Sequence, residues 1–125
     1  MIVGCGLDMI EIARIEETIA RHGTRFLERV YLPEEILYCR RKRNAAESFA
    51  ARFAAKEAAA KALGTGIQNG VGWRDIEIVR ALSGRPSLIF HGRAAAIARQ
   101  IGAHHSVVSL THSRTQALAQ VLLED

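Results

Sequence analysis

Arg52-Phe-Ala-Ala-Lys-Glu-Ala-Ala-Ala-Lys-Ala-Leu-Gly-Thr-Gly66 is the stretch on which the reading of this chain turns. Its alanines and long side chains predict a helix, starting near Ala45 and stopped by Gly64 and Gly66. The only carboxylate in the stretch is Glu57. At about 100° per residue, Glu57 shares a stripe with Ala50, Phe53, Ala54 and Lys61, so an acid lies among apolar neighbours with one cation beside it. A carboxylate in that setting needs a partner, and the candidates are Lys61 one turn on, a charged group from another element, or a metal ion.

Working outward towards the N-terminus, residues 2–7 read as a short buried strand in which Gly4 and Gly6 allow close approach of another backbone. Asp8 follows it. Ile12, Ile15 and Ile19 repeat at helical spacing up to Gly23, and Asp8 with Glu11 has the spacing of a capping box. Asp8 is therefore either a helix cap or a second acid that converges with Glu57 on a hard divalent cation. Pro33 opens a further helix with Glu34 and Glu35 in its first turn, and Arg40, Arg41, Lys42 and Arg43 gather at its end, complementing the dipole.

On the other side, residues 73–79 alternate as a half-buried strand, Ser83-Gly84-Arg85-Pro86 is a turn, and residues 87–90 form a second strand. A helix over 93–101 precedes strands at 106–111 and 117–123, which pair as a terminal hairpin. This mixed order predicts an α+β fold with a largely antiparallel sheet.

A length of 125 residues suits one domain, 1–125. Seventeen Lys and Arg against thirteen Asp and Glu give a net charge of +4, which points to anionic partners. Acidic Asp8 and Glu11 argue against a signal peptide, and no apolar window reaches the ~20 residues of a membrane span. Cys5 and Cys39 lack paired spacing and read as core residues of a reduced, cytoplasmic chain. The basic run at 40–43 has no interleaved aromatics, so nucleic acid is not the expected partner. Among the histidines, His104 and His105 are adjacent and lack ligand spacing, whereas His112 at a strand end suits hydrogen bonding or proton transfer. Gly64-Thr65-Gly66 follows a helix instead of opening one, so a phosphate there would depend on cations such as Lys61 and Arg52.

Taken together, Gly4-Cys-Gly-Leu-Asp8 with Glu11 and Arg14, the stretch from Arg52 to Gly66, Trp73-Arg-Asp-Ile-Glu77, and Ser109-Leu-Thr-His112 closely resemble holo-acyl-carrier-protein synthase. This is the small bacterial type of 4′-phosphopantetheinyl transferase. The resemblance implies transfer of the phosphopantetheine arm of coenzyme A to a serine of an acidic apo acyl carrier protein, with release of adenosine 3′,5′-bisphosphate, in fatty acid biosynthesis. It implies Asp8 and Glu57 as ligands of Mg²⁺, with Mn²⁺ an alternative, and Asp8, Glu57 and Lys61 as catalytic residues. The serine proton would go to Glu57 or to a metal-bound water. Arg43, Arg52, Lys61, Gly64, Gly84, Pro86 and His112 would bind coenzyme A, and Arg14, Arg21 and Arg25 would dock the carrier. The family resemblance also implies a homotrimer with sites at subunit boundaries. This chain departs from the pattern at Asn44, where relatives often carry a second cation. The rival reading is a non-enzymatic module whose basic patches bind an acidic partner.

Overall fold

The computed structural model describes residues 1–125. Strand β1 (Ile2–Glu11) leads into helices α1 (Ile12–His22), α2 (Thr24–Val30) and α3 (Pro33–Arg40), then the long α4 (Ala45–Ala62). A 3₁₀ turn at Trp73–Asp75 precedes strands β2 (Ile76–Arg80) and β3 (Pro86–Phe90). Helix α5 (Gly92–Gln100) and strands β4 (His105–His112) and β5 (Gln116–Glu124) complete the chain. The α+β expectation holds. The strands form two antiparallel sheets, β1-β5-β4 and the β2-β3 hairpin, where a single sheet was expected.

The core is built where α4 lies across β1 and β5, and its composition explains how closely they meet. Helix α4 buries Ala54, Ala55, Ala58, Ala59 and Ala62, and β5 answers with Ala117 and Ala119. Gly4 and Gly6 complete the contact. A methyl group at Gly6 would overlap the Ala58 carbonyl oxygen and lie 2.9 Å from the Ala62 nitrogen, both main-chain atoms of the helix. The glycines predicted to admit another backbone do so.

Gly6→Ala is accordingly expected to destabilise the fold by about 3 kcal/mol, the upper part of the range for overpacking, because no side chain can swing aside. Chemical denaturation measures this. Cys5→Ala, one residue away on the exposed face, should stay within roughly 0.5 kcal/mol of the parent.

Two local expectations need correction. Strand β1 runs ten residues and is buried only on alternate positions, with Leu7 and Met9 exposed, so Cys5 faces outward while Cys39 alone is in the core. Asp8 lies inside this strand opposite Ala119, and the first helical residue is Ile12, so Asp8 does not cap α1. The antiparallel ladder with β5 extends the strand through Glu11 and overrides the local capping pattern. Helix α2, carrying Arg25, was not foreseen, since its seven residues are too few for periodicity to show.

Glu35 stands in the first turn of α3 as expected, but it is 2 % exposed, and Lys56 of α4 is fully buried against it. Lys56 Nζ donates to Glu35 Oε1 at 2.7 Å and to the carbonyls of Trp73 and Ile76 at 3.1 and 2.6 Å. Glu35 also accepts from the backbone nitrogens of Leu32 and Ile78 at 2.8 and 3.0 Å. One ion pair thus ties α3, α4 and β2 together with every strong donor and acceptor used. With Lys56 turned inward, the next residue, Glu57, faces the rim between α4 and β1.

Candidate active site

Asp8, Glu57 and Lys61 meet at that rim. Lys61 Nζ donates to Asp8 Oδ1 at 2.9 Å and to the Leu7 carbonyl at 3.1 Å. The helical Glu57–Lys61 pair weighed from sequence is replaced by this bridge from α4 to β1, because the Gly4 and Gly6 contact brings the strand within reach. Partial burial holds the Glu57 carboxyl above its usual range, nearby Asp8 adds to this, and Lys61 opposes both. The Glu57 carboxyl thus senses the charge of Asp8, and one cation is already engaged between strand and helix.

The acids open into a cleft of about 510 Å³ whose lining includes Arg14, Phe26, Phe53 and Gln116. Phe53 stacks on Trp73 with ring centroids 4.6 Å apart, making one wall rigid and apolar. Arg14, assigned to docking from sequence, therefore borders the acids themselves. Gln116 was missed. It reaches the cleft through the register that sets it opposite Glu11 on β1, a pairing with no local signal.

The other sequence-nominated residues lie elsewhere in the chain. Arg21 is exposed on α1, 3.6 Å from Glu17, and Arg25 is exposed on α2. Arg43 is exposed just before α4, and Gly64 lies just past its end. Arg52 is only 2 % exposed, with its guanidinium 4.0 Å from the Tyr38 ring centre and its Nε without a partner. It lines a smaller cleft of about 230 Å³ with Arg41 and Arg80. Gly84, at a φ of 89°, lies in the β2-β3 turn, Pro86 opens β3 opposite Arg80, and His112 ends β4 beside Glu47. Burial pushes the Cys39 thiol up to about 11 against the opposing charge of Arg52, so it is no thiolate nucleophile near neutrality.

No group of three or more His, Cys, Asp or Glu side chains gathers in the chain, so no all-protein metal cage is present. Two hard carboxylates beside an open cleft fit Mg²⁺, which takes one or two carboxylates and completes its shell with waters and phosphate oxygens.

The 4′-phosphopantetheinyl transferase superfamily model matches residues 4–121. The chain is 52 % identical over 125 residues to the holo-[acyl-carrier-protein] synthase of Koribacter versatilis, covering all of both chains. The chain belongs to the holo-acyl-carrier-protein synthase family. Another holo-[acyl-carrier-protein] synthase, from Solibacter usitatus, is 46 % identical over the same full length. The crystal structure of holo-[acyl-carrier-protein] synthase from Neisseria meningitidis superposes with a TM-score of 0.90 at 34 % identity, each chain covered completely. The Helicobacter pylori holo-[acyl-carrier-protein] synthase, solved in complex with coenzyme A, gives a TM-score of 0.85 at 32 % identity over 96 % of this chain and 99 % of that one. Members of this family are phosphopantetheinyl transferases, and the resemblance read from the four motifs is the family found.

Proposed function

We propose that this single domain transfers the 4′-phosphopantetheine group of coenzyme A to a serine hydroxyl of apo acyl carrier protein, releasing adenosine 3′,5′-bisphosphate. The observation that carries the reading is the meeting of Asp8 and Glu57 at one open cleft, with Lys61 joined to Asp8. Asp8 and Glu57 would hold Mg²⁺, which when bound offsets phosphate charge at the reacting centre. Glu57, with its raised affinity for a proton, is suited to accept the serine proton. Lys61 can turn its ammonium from Asp8 to a phosphate oxygen as negative charge grows on the leaving group. Phe26 and Phe53 give the pantetheine arm an apolar surface and limit water on that side. Arg52, buried with an unpartnered Nε, and exposed Arg43 are the cations for the nucleotide's outlying phosphate. Gly64 would let the pyrophosphate approach the main chain, and Gly84 and Pro86 would form the adenine contact.

Arg14 borders the cleft, Arg21 and Arg25 are exposed on α1 and α2, and the three suit an acidic carrier protein, so the rate of carrier modification should fall as salt rises. The reading includes a homotrimer. Its support is the outer face of β1 and β4, where Leu7, Met9 and Val107 are 53, 56 and 42 % exposed, an apolar surface fit for another copy. His112 also lies at the far end of α4 from Glu57, so a site using both draws on two chains. No helix is long and apolar enough to cross a membrane. A cytoplasmic role in fatty acid biosynthesis follows from the proposed substrate.

Intact-mass measurement on an apo acyl carrier protein incubated with coenzyme A, Mg²⁺ and this protein tests the proposal. The carrier should gain one phosphopantetheine, and a chelator should abolish the gain. An unchanged mass with several competent apo carriers would overturn it in favour of a binding module.

A further inference from the structure

The motif Trp73-Arg-Asp-Ile-Glu77 lines no part of the cleft that holds the acids, although Trp73 stands directly behind one of its walls. The polar groups of the motif hold one turn in place. Asp75 Oδ2 accepts from the Gly72 nitrogen at 3.0 Å, the Asp75 carbonyl accepts from the His91 nitrogen at 2.7 Å, and Glu77 Oε1 lies 2.8 Å from His91 Nε2. Helix α4 then grips Trp73 at two points. Lys56 Nζ donates to its carbonyl at 3.1 Å, and Phe53, three residues earlier on the helix, stacks on its ring with the planes 30° apart.

That stack is the closest of the aromatic pairs in the chain, and Phe53 meets its other aromatic neighbour, Phe26, only at 6.4 Å. A half-buried phenylalanine on a helix rim is free to change its χ1 rotamer, whereas one packed on a fixed indole keeps a single orientation. Phe53 also lies one turn before Glu57, so its orientation sets the apolar wall next to the acid. We propose that Trp73 is a positioning residue, which holds the Phe53 ring so that the pantetheine arm of coenzyme A meets a fixed surface, while Trp73 itself does not touch the arm. The inference rests on the transferase reading above and adds to it a residue from outside the cleft.

The test combines kinetics with side-chain NMR on the full chain. Trp73→Leu, which keeps an apolar side chain but no flat ring, should raise the KM for coenzyme A about fivefold, the middle of the range for one aromatic pair, with kcat little changed. Inhibition by adenosine 3′,5′-bisphosphate, which lacks the arm, should be unaltered. Trp73→Phe should restore most of the affinity, and Trp73→Met takes the place of Trp73→Leu if the latter melts early, with the same outcome expected. In a Phe53→Ala background, Trp73→Leu should have no further effect on KM. Side-chain couplings of Phe53 should report one χ1 rotamer in the parent and an average over rotamers in Trp73→Leu. Equal weakening of coenzyme A and the bisphosphate, equal KM effects in both backgrounds, or a Phe53 rotamer unmoved by the substitution would overturn the positioning role. If the parent protein modifies no carrier, the transferase reading fails by itself, and the Phe53 couplings still decide whether Trp73 sets that ring.

Discussion

Glu57→Gln is expected to lower carrier modification by about 10²–10⁴-fold, the range associated with loss of a positioned acid–base group, while the protein remains folded. Retention of the fold follows from the local electrostatics. Partial burial and then Asp8 disfavour the Glu57 anion, with Lys61 opposing, so the carboxylate is held at some cost to stability. The sign of the pH effect is fixed. Between the usual carboxylate value and the raised one, the folded chain keeps the Glu57 proton and the unfolded chain has lost it. This group's contribution is therefore complete at lower pH and declines as pH rises through that window. Glutamine does not titrate, so above the window Glu57→Gln should melt no lower than the parent, and higher if repulsion from Asp8 dominates. Rate assays with melting curves at acidic and neutral pH check this. A variant that keeps its activity, or loses activity only because it unfolds, would remove Glu57 from the chemistry.

Lys56→Met is expected to be the most destabilising single change, costing about 3–5 kcal/mol, because it leaves Glu35 charged in the interior. It also strips the carbonyls of Trp73 and Ile76 of their donor. A second hydrophobic substitution at Glu35 should not restore the loss, since Leu32 and Ile78 would then lose their acceptor. Glu35→Gln behaves differently. Burial already lowers the proton affinity of Lys56, and Glu35 is the first opposing influence. Without the carboxylate, the folded chain should release that proton at a lower pH than the unfolded chain does. Stability of Glu35→Gln relative to the parent should therefore recover as pH is raised between those two points. Urea denaturation across a pH series ending near the ordinary lysine value decides it, and a loss that does not change with pH would mean Lys56 stays charged.

Legibility from the chain followed the range of the interaction. Helix α4, its stop at Gly64, the turn at Gly84 and the C-terminal hairpin were readable because propensity, caps and alternation act over a few residues. Asp8 and Glu57 were singled out through their motifs, and the structure brings both to the lining of one cleft. What failed had a distant cause. Asp8 could be a cap or a second acid until β5 paired with β1, the burial of Glu35 had no local sign until Lys56 met it 21 residues later, and Lys61 looked like the helical partner of Glu57 until β1 offered Asp8. In each case a long-range contact outweighed a local preference worth less than about 1 kcal/mol.

The glycine contact between β1 and α4 has a consequence for how this protein can vary. Elsewhere, a core substitution shifts the spacing of two elements by the difference between one side chain and another. Here no side chain stands between strand and helix, and main-chain atoms meet directly at Gly4 and Gly6. The separation of Asp8 from Glu57 and Lys61 is thus a property of the polypeptide backbone. Neutral drift through the remaining core can change stability by small steps, while the distances on which the proposed reaction depends remain insulated from it.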